Sequence, residues 1–256
     1  MSPRVEYHDD ENHGMMSPGV GYHKDENHGM MSPGVGYHKD ENHGMMSPGV
    51  GYHKDENHGM MNDLVDYCGR VALEAEGLPF YYYHIPDRTG VRLNMEEFLH
   101  KARDQIPNLR GIKFSSKDLY EGFKCLRTKD AKGHNFDILF GCDEQVIAAF
   151  AMGFRGAIGS TYSLLPGVYR QAKLAMDDGR LAEARELQAR SVRLVHVCFK
   201  FGKGVGRPIP AFKAILNKLG VPVGPTRFPM ATLDQQATAE LIAELSEAGF
   251  FQWIQE

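Results

Sequence analysis

Two hydrophobic rhythms alternate along the chain from Met61 onwards. Residues 62–75 place apolar side chains near i, i+3, i+4 spacing, which predicts a helix. Asn62 or Asp63 is positioned to cap it and Gly77 to stop it. Short apolar runs follow, and four of them predict strands: Pro79–Ile85, Gly111–Phe114, Phe136–Phe140 and Ala157–Ser160. Helical patterns separate them, at Met95–Gln105, Leu119–Leu126, Gln145–Met152 and Gly167–Asp178. Four strand–helix alternations with short connections predict parallel βα units with right-handed crossovers. From Arg180 the pattern is helical throughout, over Arg180–Lys200, Ile209–Leu219 and Asp234–Ala248, with Gly249 as a stop.

The first 60 residues follow neither rhythm. Met16–Met30, Met31–Met45 and Met46–Met60 are the same fifteen residues, MSPGVGYHKDENHGM, and Met1–Met15 is a varied copy. Each unit offers one Val, one Tyr and two Met, with no recurrence at 2.0 or 3.6 spacing. A Pro and three Gly per unit oppose regular structure. Residues 1–60 are therefore expected to be a disordered repeat tail, and 61–256 a folded domain. The pairs His23/His28, His38/His43 and His53/His58 have spacing for weak zinc or nickel binding. They lack any rigid supporting shell, and a polar tail with incidental histidines is the plainer reading.

Charge and cysteine usage narrow the function classes. Net charge is −4; the tail carries about −6, from ten acids against Arg4 and three lysines, so the rest carries about +2. Neither value suggests a nucleic-acid or membrane surface. Cys68, Cys125, Cys142 and Cys198 are widely spaced with no C-x-x-C, which fits a reduced cytoplasmic chain without a zinc site. No apolar leader is visible in Met1–Asn12, and no run approaches the ~18 apolar residues of a membrane span.

Polar groups collect where the four strands end. The first delivers Tyr83 and His84, the second Lys113, Ser115 and Ser116. The third delivers Gly141, Asp143 and Glu144, the fourth Gly159, Ser160 and Thr161. In a parallel α/β barrel the active site lies at these carboxyl ends. A lysine kept neutral in apolar surroundings becomes a nucleophile towards ketones, which singles out Lys113. Each group also has a plainer reading. Lys113 could snorkel to solvent, Tyr83 could pack a core, and Asp143 and Glu144 could be first-turn acids that suit a helix dipole. Ser160 and Thr161 could simply cap, and His84 could be structural with a backbone partner. Cys142 has no evident base beside it and reads as a small buried hydrophobe. Gly202–Gly206 imitates a phosphate loop, but no strand precedes it and no Gly-Lys-Ser/Thr follows, so a helix linker is expected there.

Four segments, PFYYYHIP, GIKFSS, LFGCDEQ and GAIGSTYS, occur in an order and spacing that resembles the N-acetylneuraminate lyases of the pyruvate-dependent class I aldolase superfamily. The resemblance runs from about Met61 to the C-terminus. It implies a (β/α)₈ TIM barrel with extra C-terminal helices, here the last four βα units only, and a homotetramer. It implies reversible cleavage of sialic acid to N-acetylmannosamine and pyruvate, without cofactor or metal. Lys113 would form the Schiff base and Tyr83 would relay the proton of the substrate hydroxyl. Gly141, Asp143 and Glu144 would bind the sugar hydroxyls, with Gly159, Ser160 and Ser115 as further substrate contacts. Two features depart from the pattern. Asp87-Arg88-Thr89-Gly90 is similar to a segment of dihydrodipicolinate synthase, a sister aldolase, although Arg88 could equally be a solvated loop cation. The Gly-Thr-Thr-Gly-Glu loop that grips pyruvate in the family has no match, and the repeats stand where the first half of the barrel would be. A half barrel leaves two sheet edges open, so self-association or binding to intact lyase subunits, with loss of activity, is the competing expectation.

Overall fold

The four apolar runs assemble into one parallel sheet, in the order in which they occur along the chain. The computed structural model describes residues 54–75, 77–202 and 208–255, with backbone alone for 54–58. Asp55–Glu256 form one compact unit, separate from Met1–Lys54. The strands are β1 (Phe80–His84), β2 (Leu109–Phe114), β3 (Asp137–Phe140) and β4 (Gly156–Ala157). Helix α1 (Lys54–Glu74) precedes them. Helices α2 (Pro86–Thr89) and α3 (Met95–Ala102) join β1 to β2, and α4 (Leu119–Arg127) joins β2 to β3. A 3₁₀ turn (Asp143–Gln145) and α5 (Val146–Ala151) lead to β4, and a second 3₁₀ turn (Ser160–Ser163) leaves it. Helices α6 (Pro166–Asp177), α7 (Leu181–Phe201), α8 (Ile209–Lys218), α9 (Gln235–Ala248) and α10 (Phe250–Trp253) complete the chain. Four consecutive βα units are half of a (β/α)₈ barrel, and the helices that follow are the expected C-terminal addition.

Strand alternation gives the sheet two unlike faces. Tyr82, Ile112, Phe114, Ile138 and Phe140 face the helices and share a core with Phe98, Leu99 and Phe154. The α1 stripe Met61, Val65, Cys68 and Ala72 closes that core from one side. The opposite face carries Tyr81, Tyr83, Lys113, Asp137 and Leu139. It stays open, with Tyr81 36% and Tyr83 45% exposed. On this face Tyr81 reaches across Gly111 and donates to Asp137 Oδ2 at 2.9 Å. A side chain at Gly111 would close that passage, since its Cβ would lie 1.7 Å from the Asp137 carbonyl oxygen. A second core joins α5 to α10 through Val146, Leu165, Leu187, Leu194, Ile215, Leu241 and Phe250.

Several elements differ from the sequence reading. Helix α1 begins at Lys54, inside the last repeat copy, and not at Asn62. Extending a helix from a packed stripe costs far less than nucleating one. Asn62 does not cap it; its side chain accepts from Lys101 Nζ at 3.1 Å. Segment 86–89 is a short helix rather than a loop, opened by Pro86 and closed by Gly90 at φ 73°. The fourth strand ends at Ala157, and Ser160 lies in the 3₁₀ turn instead. The rest of the repeats, including His23/His28, His38/His43 and the residue His53, lies outside the described residues, as does most of the Gly202–Gly206 segment. Among the described residues no helix is long and apolar enough to cross a membrane, and no cluster of three or more His, Cys, Asp or Glu could hold a metal ion.

Candidate active site at the carboxyl edge of the sheet

Hydrogen bonds beyond the strands align the four polar ends. Ser115 N donates to His84 O, Gly141 N to Phe114 O and Ile158 N to Phe140 O, each at 2.8 Å. The register pairs Tyr83 with Lys113, and Lys113 with Leu139. Both reactive candidates therefore project from neighbouring strands on the open face. Lys113 Nζ lies 4.0 Å from the centroid of the Tyr83 ring, a cation–π contact that holds the amine beside the phenol.

The neighbouring loops pack tightly against this pair. A Cβ on Gly141 would lie 1.9 Å from Ser115 Oγ, so glycine is what lets the two strand ends approach. Ser115 Oγ is buried without a hydrogen-bond partner, as is His84 Nδ1. The backbone partner expected for His84 is thus missing at Nδ1. The imidazole is 2% exposed and packs on Phe114 at 5.2 Å between centroids, pointing to the helix side of the sheet. Burial, with help from the Arg92 charge, pulls its pKa down to about 4 and keeps it neutral.

Asp143 is 7% exposed. Its Oδ2 accepts from Thr161 N at 2.9 Å and from Thr161 Oγ1 at 2.6 Å. Burial raises its pKa, and the Thr161 bonds and the Lys113 charge oppose that shift. Glu144 has a side chain 35% exposed and a long ion pair to Lys117, 3.9 Å. Ser160 is exposed, beside Gly159 at the start of the 3₁₀ turn. Cys142 is half-buried rather than buried: it packs against the core, and desolvation pushes its thiol up to about 12. Arg88 sits in α2, where its neighbour Asp87 pairs with Arg92 at 3.0 Å.

One open edge thus holds a lysine, a phenol, a carboxylate and hydroxyls at the ends of parallel strands. Residues 54–248 match the model of the dihydrodipicolinate synthetase family. The chain belongs to that family. N-acetylneuraminate lyase of Rattus norvegicus is 38% identical over 188 residues, which are 73% of this chain and 57% of the rat protein. Among solved structures, Proteus mirabilis N-acetylneuraminate lyase superposes with a TM-score of 0.68 at 33% identity, over 74% of this chain and 61% of that one. The N-acetylneuraminate lyase of Aliivibrio salmonicida gives a TM-score of 0.67 at 35% identity, over 74% and 60%. This dihydrodipicolinate synthetase family chain thus spans a little over half the length of the relatives it matches.

The sequence reading placed the strand-end residues together but missed what fastens them. Tyr169 on α6 touches Thr161 Oγ1 with its hydroxyl and lies 2.7 Å from Ser191 Oγ on α7. Gln188 Nε2 donates to Asp143 O at 3.1 Å, and Ser191 Oγ lies at the same distance from that carbonyl oxygen. The signal was a hydroxyl inside an apolar helical stripe: Ser191 falls between Leu187 and Leu194, all three buried.

Proposed function

We propose that this chain is a carbon–carbon lyase that cleaves N-acetylneuraminate to N-acetylmannosamine and pyruvate through an imine on Lys113. The amine adds to the keto carbon and water leaves. The protonated imine draws the electrons of the breaking carbon–carbon bond, giving an enamine of pyruvate. Tyr83 relays the proton of the substrate hydroxyl as the aldehyde forms, accepting it while its own phenol proton passes on to the methylene carbon of the enamine, and water then hydrolyses the imine to free pyruvate and Lys113. Gly141, Asp143, Glu144, Ser115, Gly159 and Ser160 bound the space for the sugar chain. The observation that carries this reading is the pairing of Lys113 and Tyr83, 4.0 Å from amine to ring, at the carboxyl edge of a parallel sheet. The names of the relatives support it. The same reading makes the enzyme a cytoplasmic homotetramer with no cofactor. Incubation with pyruvate and borohydride should leave a reduced adduct on the Lys113 peptide, absent from Lys113→Ala. An unmodified wild-type chain would sink the reading.

The open sheet face favours one second reading. Tyr83, 45% exposed, would be lined by further strands in a closed barrel. On this reading the chain associates with intact lyase subunits and has no turnover of its own. Co-purification with a full-length subunit supports it, and a solitary, monodisperse, active chain refutes it.

A further inference from the structure

Of the two consecutive acids at the end of β3, only one is available to a ligand. Asp143 Oδ2 is occupied by both donors of Thr161. Its Oδ1 lies against the Gly159 backbone, where an added Cβ would sit 1.6 Å away. A carboxylate only accepts, so Thr161 must donate its hydroxyl proton to Asp143. Thr161 Oγ1 must then accept from Tyr169, whose oxygen faces Ser191. Ser191 then spends its one proton on Tyr169, and Gln188 on the same helix donates to the Asp143 carbonyl, which closes a ring through α6 and α7. Tyr162 stacks on Tyr169 with centroids 3.9 Å apart and seals it. Glu144 has a side chain 35% exposed, and among the described residues its one ion pair is the 3.9 Å contact to Lys117.

We infer that Asp143 is a latch between the ends of β3 and β4, that Thr161, Tyr169 and Ser191 are positioning residues for it, and that of the two acids it is Glu144 whose carboxylate reads the substrate hydroxyls. The inference rests on the imine reading above. The ring fixes the carbonyl of Asp143 and the amide of Thr161, and so fixes the loop that presents Glu144. It spans two strand ends and two helices, so loss of one hydroxyl loosens the whole loop.

The test combines steady-state kinetics on N-acetylneuraminate with pyruvate–borohydride trapping in the full chain. Thr161→Val and Asp143→Asn should each raise KM about tenfold with little change in kcat, the effect of one hydrogen bond to a charge. The double variant should be no worse than either single one, because both break one latch. Thr161→Ser keeps the hydroxyl and should stay near wild type. Glu144→Gln should not multiply with Thr161→Val, because the latch acts through the contact that Glu144 makes. Trapping should be unchanged in all of them, which also shows that they fold. If the losses of Thr161→Val and Asp143→Asn multiply, Asp143 touches substrate directly and the latch is refuted. A Thr161→Ser variant as poor as Thr161→Val refutes it too. Wild-type chain that fails to trap pyruvate overturns the imine reading and the latch with it; trapping with multiplied losses overturns the latch alone.

Discussion

Gly159→Ala would put a methyl carbon where the Asp143 carboxylate already is. The new Cβ would lie 1.6 Å from Asp143 Oδ1, 2.3 Å from its Cγ and 2.5 Å from the Tyr162 ring. The backbone itself is not the obstacle, since φ at Gly159 is −140°, open to any residue. Relief therefore requires the carboxylate to swing away, which breaks both of its bonds to Thr161. Hydrogen bonds to a charged group are worth about 1.5–3 kcal/mol each, so the cost is roughly 3–6 kcal/mol. That is a large share of the ~5–15 kcal/mol that holds a domain folded. Urea titration followed by circular dichroism should show the midpoint falling by about 1–2 M at a slope of ~3 kcal/mol/M, and by more at a shallower one. Gly69→Ala is the control with the opposite sign. It lies inside α1, its nearest outside neighbour is Ile106 Cγ1 at 3.9 Å, and it should stabilise by about 0.5–1 kcal/mol. An unchanged midpoint for Gly159→Ala, or equal losses in both variants, would show that the latch is not rigid.

Three further outcomes are expected. His84 binds a proton near pH 6.5 when unfolded but only near 4 when folded, so its contribution is intact above pH 6.5 and is lost as pH falls towards 4. The loss approaches roughly 3 kcal/mol, and urea midpoints at pH 7.5 and 4.5 should differ less in His84→Phe than in wild type; equal pH slopes would contradict this. Gly111→Ala should wedge β2 from β3, because its Cβ would meet the Asp137 carbonyl oxygen at 1.7 Å; a soluble variant with wild-type thermal stability would rule that out. Cys142, its thiol pushed up to about 12, should resist iodoacetamide at pH 8 until urea unfolds the chain, and rapid native labelling read by mass spectrometry would argue otherwise.

The strands were legible because each is a short apolar run cut off by polar residues, and the sheet order followed from their alternation with helices. The end of α9 was legible as well: Asp234 accepts from Ala237 N at 2.7 Å, and Gly249 takes φ 89° to stop the helix. Where the reading slipped, a contact remote in sequence decided the local structure. Asp143 captures the amide and hydroxyl of Thr161, which turns the chain after Ala157 into a 3₁₀ turn rather than a longer strand. Packing of Met61 and Val65 on the core supports α1 back into a repeat that has no helical periodicity of its own. Tyr169 and Ser191 escaped because each is a single hydroxyl in a stripe that otherwise reads as ordinary core. The carboxyl-edge residues were found because their place in the strands dictates where they meet.

The bridge from Tyr81 over Gly111 to Asp137 has a consequence two residues further along. Side chains on a strand change face at every step, so slippage by one residue would turn Tyr83 and Lys113 away from each other. A phenol can reach its second neighbour only where the strand between them is bare, and β2 is bare at one point. That gap works as a keyway: it admits a single alignment of three strands, and the spacing of the amine and phenol beyond it is set by the same fit.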